Sequence, residues 1–400
     1  MDELSVSPII ELGRDIEAAW LACEHDLGRF PGLCVDRMIA ARIHEVVRPD
    51  DVIRWALSSD LPAQLNARAK FGQPPITVYR GRRFVIDVLF WVDGTTAIHD
   101  HAFSGAFSVL SGRSIETTFA FTASKEFDGR FRLGQLGITG TALRKAGDVS
   151  PITAGPRFIH SLFHLDRPSV SLVVRTFSDP VSSVQHRYHP SGFAHQDPFE
   201  DEMRDRQLEV VELLLQTEHP DLELQIGDLI ARADLHTAFA AVRACLRVRD
   251  PRVQERLVKK VRDPAIGSVF RDWLSQEQRL GMLRRARADV VDAELRFLLA
   301  VLMNAHRRAD AVLLVSAFAP AESPARWIAR ALRRLSTVAF RLQVRNIALE
   351  QNVLGLPAFE EGFEEVLTKA LEGESETANE KAAGFLRRLG ELPVLASLFR

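Results

Sequence analysis

The chain has 400 residues, 46% hydrophobic and 26% charged, with a formal net charge of −2. That length supports two or three domains with sizeable apolar cores. The near-neutral balance argues against broad binding to nucleic acid or to an anionic membrane surface.

Residues 1–74 read as a helical segment. Ile16, Ala19, Trp20 and Cys23 recur at helical spacing, and Val52, Ile53, Ala56 and Leu57 mark a second short helix. Pro49-Asp50-Asp51 is a helix start in which Asp50 or Asp51 caps by accepting a free backbone N–H. Residues 75–177 read as strands. ITVYR, RRFVIDVLFWV, FSVLS, IETTFAF, RFRLGQLGIT and SVSLVVRTF are rich in β-branched and aromatic residues. Turn signals at Asp93-Gly94, Ser111-Gly112, Asp128-Gly129 and Ala146-Gly147 separate them, the spacing of a sandwich or barrel. Residues 178–202 show no period and read as a linker or covering loop. Residues 203–400 carry apolar stripes at three- and four-residue spacing, punctuated by prolines, and read as an all-helical domain, solenoid or compact.

The N-terminus, MDELSVSPIIELGRD, lacks the basic-then-apolar pattern of a signal peptide, and no run of 18 apolar residues occurs, so no membrane span is expected. Cys23, Cys34 and Cys245 match no zinc spacing, and their odd number suggests reduced thiols and a cytoplasmic location.

The chemistry is concentrated in Trp91-Val-Asp-Gly94-Thr-Thr-Ala-Ile-His99-Asp-His101. Extended chain turns successive side chains to opposite faces, so His99 and His101 point together and Asp100 points away, as a hydrogen-bond acceptor for neighbouring groups. Two imidazoles on one barrel face chelate one metal ion, and His160, in Gly155-Pro-Arg-Phe-Ile-His160, is the natural third ligand. Imidazole suits Fe, Zn, Ni or Cu.

IHDHAFSGAFSVLSGRSIET at 98–117, with Gly147, Pro156 and His160, resembles the two motifs of the cupin superfamily, and within it the thiol dioxygenases of the cysteine dioxygenase type. The resemblance covers about a quarter of the chain. It implies a double-stranded β-helix barrel and a facial set of His99, His101 and His160 for Fe(II). It further implies that Arg80 or Arg82 pairs with a substrate carboxylate, a task suited to guanidinium. Where many cupins place a glutamate ligand, and animal cysteine dioxygenases a crosslinked cysteine, this chain has Gly105 and Ala106. Of that family's Ser-His-Tyr triad only a serine is matched within Ser171–Arg175, so a catalytic phenol is Tyr79 or Tyr188, the chain's two tyrosines. His164, four residues after His160, is a fourth ligand, an acid/base group or a partner to a ligand. Glu116 is expected on an exposed strand face.

The expected architecture is α+β and multidomain: a helical N-terminal segment, a central cupin barrel and an all-α C-terminal domain. The expected activity is a cupin oxygenase with Fe(II), with Zn, Mn or Ni as other metals. His164 and Tyr79 are the catalytic candidates and Arg80 and Arg82 the substrate contacts. The substrate is a small thiol or a peptide-like thiol, with a protein partner for the helical domain. A metal- or ligand-binding sensor and a non-redox metal enzyme are the other readings.

Overall fold

A computed structural model of the chain describes residues 5–58, 60–64, 72–92, 96–127, 129–180, 182, 184–198, 201–248, 250–344, 347–352, 354–374 and 380–399. The turn expected at Asp93-Gly94, and Asp128 of the third turn, lie outside the described residues. The chain forms two compact units, Met1–His189 with Phe193–Phe199, and Pro190–Gly192 with Glu200–Arg400.

The first unit begins with helices α1 (Ser7–Ala22), α2 (Phe30–Ala41), α3 (Ile43–Val46) and α4 (Pro49–Ser58). Ten strands follow: β1 (Pro75–Arg80), β2 (Phe84–Trp91), β3 (Gly105–Ser111), β4 (Arg113–Phe127), β5 (Phe131–Lys145), β6 (Val149–Ile152), β7 (Ile159–His164), β8 (Ser169–Thr176), β9 (His186–His189) and β10 (Phe193–Gln196). They make two five-stranded sheets, ordered β1-β2-β8-β3-β6 and β7-β4-β5-β10-β9, with every pairing antiparallel. The chain winds between the sheets, so that β3 pairs with β8 in one and β4 with β7 in the other. That is the double-stranded β-helix arrangement.

The first sheet is covered on both faces, which is why β2 reads as a continuous apolar run rather than an alternation. Phe84, Ile86, Val88 and Phe90 share a core with Ile9, Leu12, Ile16, Trp20, Phe30 and Trp55 of the helices. Leu89 and Trp91 turn inward to meet Phe107, Ile152, Leu162 and Val173 between the sheets. Each such buried side chain contributes roughly 1.5–3 kcal/mol. The N-terminal helices, expected as a segment of their own, are thus one wall of the barrel's core. Helix α4 starts at Pro49, which places Asp50 and Asp51 inside its first turn. Asp51 reaches back to accept the Arg48 N–H at 2.9 Å, in the manner of the third residue of a capping box.

The stretch 178–202 is not a structureless linker. It supplies β9 and β10, which extend the second sheet. Isolated bridges from His99 to His160 of β7 and to Arg187 of β9 then join that sheet's two edges. The result is a closed ring of β7, β4, β5, β10, β9 and the segment 98–100. Phe119, Leu136, Ile159, Tyr188, Ala194 and Ile98, one from each member, fill it.

The second unit holds α5 (Glu202–Gln216), α6 (Leu222–Arg232), α7 (Leu235–Ala244), α8 (Pro251–Val258), α9 (Pro264–Asp289), α10 (Ala293–Asn304), α11 (Arg308–Phe318), α12 (Pro324–Ser336), α13 (Phe363–Glu372) and α14 (Glu380–Glu391). Pro251, Pro264 and Pro324 open their helices, behind the side-chain caps Asp250, Asp263 and Ser323. The unit is not all-helical as expected. Strands β11 (Ala339–Val344) and β12 (Ile347–Asn352) form an antiparallel hairpin inside it. No helix of the described residues is long and apolar enough to cross a membrane.

Candidate metal centre

His99 and His101 lie on the segment between β2 and β3, and His160 lies on β7. His99 and His160 face each other across the bridge, each N–H donating to the other's carbonyl at 2.9 and 3.0 Å. The ring centroids are 4.6 Å apart for His99–His101, 5.0 Å for His99–His160 and 4.9 Å for His101–His160. One ring nitrogen from each lies within 4.8 Å of the others, and all three residues are buried.

Hydrogen bonds set two of the three tautomers. Nδ1 of His99 is 2.8 Å from the Ala97 carbonyl, so Nδ1 carries the proton and Nε2 keeps its lone pair. Nδ1 of His160 is 2.9 Å from Glu116 Oε1, with the same consequence. Among the described residues, Nδ1 of His101 is buried with no hydrogen-bond partner. Burial, followed by the nearby His160, brings the His99 pKa down to about 3. Burial, with His99 and His160 alongside, holds His101 well below the ordinary imidazole range. Both are therefore neutral at pH 7, the form that ligates metal. Fixed tautomers, converging lone pairs and an orphaned buried nitrogen fit a transition-metal ion held by three imidazoles.

Glu116 corrects an expectation. It is 2% exposed rather than on an open strand face. It accepts from His160 on Oε1 and from Arg144 Nε and Nη2 on Oε2, at 2.8 and 2.5 Å. Burial works to raise its pKa, but His160 and Arg144 overcome this and hold the carboxyl below its usual value. Glu116 is thus an anion that orients a ligand.

Asp100 faces away from the three rings, as the alternation requires. Its side chain accepts from the His186 N–H at 2.6 Å and from the Tyr188 hydroxyl at 2.8 Å, inside the closed ring. No carboxylate ligand is possible at 105 or 106. A Cβ on Gly105 would lie 1.9 Å from the Val174 carbonyl oxygen, and Ala106 belongs to the helix-covered core on the sheet's other face.

The three histidines line a cavity of about 30 Å³ whose other walls are mainly Leu89, Trp91, Phe103, Phe107, Ile152, Leu162 and Val173. Among the described residues, Thr96 and Ser171 are its other polar lining residues, and neither lysine nor arginine lines it. Phe103 meets His101 edge-on at 4.8 Å, and Phe158 stacks on His101 at 5.7 Å and lies 4.4 Å from His160. Both phenylalanines are half-buried.

The remaining sequence candidates do not join this site. Tyr79 packs with the helix-side core, and its hydroxyl donates to Glu17 of α1 at 2.7 Å. Arg80 is exposed, over the Phe177 ring at 5.7 Å. Arg82 is exposed and its backbone N–H donates to Glu17 at 3.1 Å. All three lie where β1 and the turn after it meet helix α1. His164 is buried on the same strand as His160, but it stacks on Trp91 at 4.4 Å and its Nδ1 is 2.7 Å from Ser169 Oγ. It supports a wall residue and does not line the cavity. The buried phenol near the site is Tyr188, one step removed through Asp100.

No family model matches the chain, and no curated protein matches it. Among solved structures it is similar to a cupin-2 domain protein from Shewanella frigidimarina, 13% identical over 33% of this chain and 95% of that one, with a TM-score of 0.20. It is similar to hydroquinone 1,2-dioxygenase PnpCD, 20% identical over 29% and 71%, with a TM-score of 0.21. A third likeness is to a cupin-superfamily sugar phosphate isomerase from Silicibacter pomeroyi, 17% identical over 35% and 85%, with a TM-score of 0.21. The wound strand pairing seen in this chain's own structure is the double-stranded β-helix that the resemblance implies, and His99, His101 and His160 lie together in it.

Proposed function

We propose that this protein is a metal-dependent oxygenase of the cupin type, in which His99, His101 and His160 hold Fe(II) and a thiol or thiol-bearing peptide is oxygenated by O₂. The observation that carries the reading is the convergence of three buried imidazoles without a carboxylate, in a cavity otherwise walled mainly by apolar side chains. Iron held there would supply redox chemistry towards O₂ and open coordination positions for a substrate donor atom.

The protein's part follows from its residues. Three uncharged ligands leave the cation's full charge unbalanced in a low-dielectric site, which favours an anionic donor such as a thiolate. Glu116, kept anionic by Arg144, and the Ala97 carbonyl fix two imidazoles in the tautomers that present Nε2. The three imidazoles are buried, with Phe103 and Phe158 packed on their rings, which keeps the site's effective dielectric low.

A second reading, a metal- or ligand-binding sensor, is favoured by the cavity's size, which in this conformation is about one water molecule's room. Anaerobic purification with metal analysis, coupled to O₂ consumption across small thiols and cysteinyl peptides, separates the two. Near-stoichiometric iron with thiol-dependent O₂ uptake is the expected result. A redox-inert metal without uptake removes the oxygenase, and binding of a partner on ligand addition without turnover favours the sensor.

A further inference from the structure

The second unit holds a pocket of about 410 Å³, lined by Glu360, Phe363, Lys381, Gly384, Arg387 and Arg388. That volume lies within the roughly 300–1,000 Å³ of small-molecule sites. Helix α14 buries Ala382, Phe385 and Leu389 on one side. Lys381, Gly384 and Arg388 follow one another at spacings of three and four, so they share a face beside that stripe, with Arg387 next to it. Other arginines of this unit are neutralised: Arg256 by Glu223, Arg330 by Glu294 and Glu322, Arg333 by Glu364, and Arg334 by Asp292. Lys381, Arg387 and Arg388 are exposed, and among the described residues their side chains have no carboxylate or other acceptor. Gly384 is interior to α14, where glycine is a poor helix former. A Cβ there would meet no heavy atom within 4 Å, so packing does not demand glycine. Its effect is to leave the wall open between the cations. Phe363 is 6% exposed and stacks on Phe385 at 4.4 Å, while Phe359 meets Phe385 edge-on at 4.9 Å. The pocket therefore has an aromatic wall held in place by its own packing.

We propose that this pocket binds a compact organic phosphate of nucleoside diphosphate size. Lys381, Arg387 and Arg388 take the phosphate oxygens, and Phe363 takes the organic part. The proposal is independent of the chemistry at the histidines. Three cations against the one carboxylate of Glu360 leave a net charge of two positive, the complement of a diphosphate. Guanidinium meets phosphate oxygens in a fork, and lysine adds a point charge. Glu360 offers an acceptor to a hydroxyl of the same ligand. The volume exceeds what phosphate groups alone would fill, which is why an organic part belongs to the ligand. A long polyanion such as a nucleic acid suits the site less well. Glu361, Glu364 and Glu365 all lie within two residues of Phe363, and their charges repel any anion that runs beyond the pocket.

The test is equilibrium dialysis of the full chain against ADP, adenosine or inorganic pyrophosphate. ADP is expected to bind with a Kd below about 1 mM, and adenosine and pyrophosphate each about tenfold or more weakly. Arg387→Gln and Arg388→Gln should each weaken ADP binding by about tenfold, the scale of one charge-assisted bond at an open site. Added salt should weaken it in the parent. Arg326→Gln, at an exposed arginine of the same unit that does not line the pocket, should leave it unchanged. Gly384→Leu should abolish binding by filling the space between the cations. Leucine is the better helix former, so this variant keeps α14, and urea midpoints confirm that each variant is folded. No binding of ADP at about 1 mM, or ADP bound no more tightly than adenosine or pyrophosphate, overturns the proposal. Parent-like binding in Arg387→Gln, Arg388→Gln and Gly384→Leu does the same. A single-stranded oligonucleotide of about ten nucleotides that binds more tightly than ADP would make this face a nucleic-acid surface instead.

Discussion

Glu116→Gln tests the metal centre through a residue that is not a ligand. The amide has the carboxylate's shape, so packing is preserved and the charge is removed. The Gln carbonyl can still accept from His160, but its NH₂ is then presented to Arg144, where Oε2 now takes two bonds at 2.8 and 2.5 Å. Donor faces donor, and Arg144 must turn away. Its side chain is 27% exposed against 2% for Glu116, so it can reach water, and the cost falls below the roughly 3–5 kcal/mol of a fully buried broken pair. We expect a loss of about 1–3 kcal/mol in urea unfolding of the apo-protein. His160 also loses an anionic acceptor, and changes of this kind weaken metal binding by roughly 10–100-fold. Competition between the protein and a chromophoric chelator for Zn(II) or Co(II) measures that directly. Arg144→Met, which leaves Glu116 on His160, should weaken binding less. Parent-like metal affinity in Glu116→Gln would refute the role given to this carboxylate.

Three further outcomes follow from the same structure. A chelator should lower the unfolding free energy by about 2.7 kcal/mol relative to protein held with metal at a hundred times its Kd, and His99→Ala should abolish that difference in paired denaturation curves. Tyr188→Phe removes the hydroxyl that Asp100 accepts from at 2.8 Å, both groups being buried; a loss of about 1–3 kcal/mol and weaker metal binding are expected, and unchanged metal affinity would separate Asp100 from the ligands. Burial, then its bond to Glu17, raises the Tyr79 pKa from 10.0 to about 12. A raised folded pKa gives stability that is complete below pH 10 and lost as pH climbs towards 12; urea midpoints across that range should fall in the parent, with Tyr79→Phe removing this component.

The fold was legible where side-chain period and burial agree. Phe84–Trp91 and Ser169–Thr176 announced themselves by β-branched and aromatic content, and the two faces they cover explain the absence of polar alternation. The pairing of His99 with His101 was legible because a period of two places them together whatever surrounds them, whereas His160 was named from its place near the end of the strand region and from the resemblance of its motif. Strands β9 and β10 were not, because HRYH and FAHQ are short and polar, and the pairing of β10 with β5 is set by a partner distant in sequence. Glu116 misled because a carboxylate's burial depends on what lies opposite, and Arg144 is 28 residues away. Tyr79, Arg80 and Arg82 sit on or beside a barrel strand, but the register bulge between Thr77 and Tyr79 turns the phenol towards the helices. One extra residue reverses the face that a simple alternation assigns.

The ring closure bears on how the site holds its geometry. A segment such as 98–101, between β2 and β3, would ordinarily be free to move on one side, and two imidazoles on it would be poor chelators. Here its backbone is bonded on both sides: to His160 of β7, and through Asp100 N–H and the Ile98 carbonyl to His186 and Tyr188 of β9. Asp100 adds two side-chain bonds from the side opposite the rings. The outward residues Ile98 and Asp100 thus serve the inward residues His99 and His101, and strand β9 is the element that makes this possible. Preorganised ligands forgo less conformational entropy on binding a cation. A polar stretch that reads as a linker therefore sets the rigidity of a site whose ligands it does not contain.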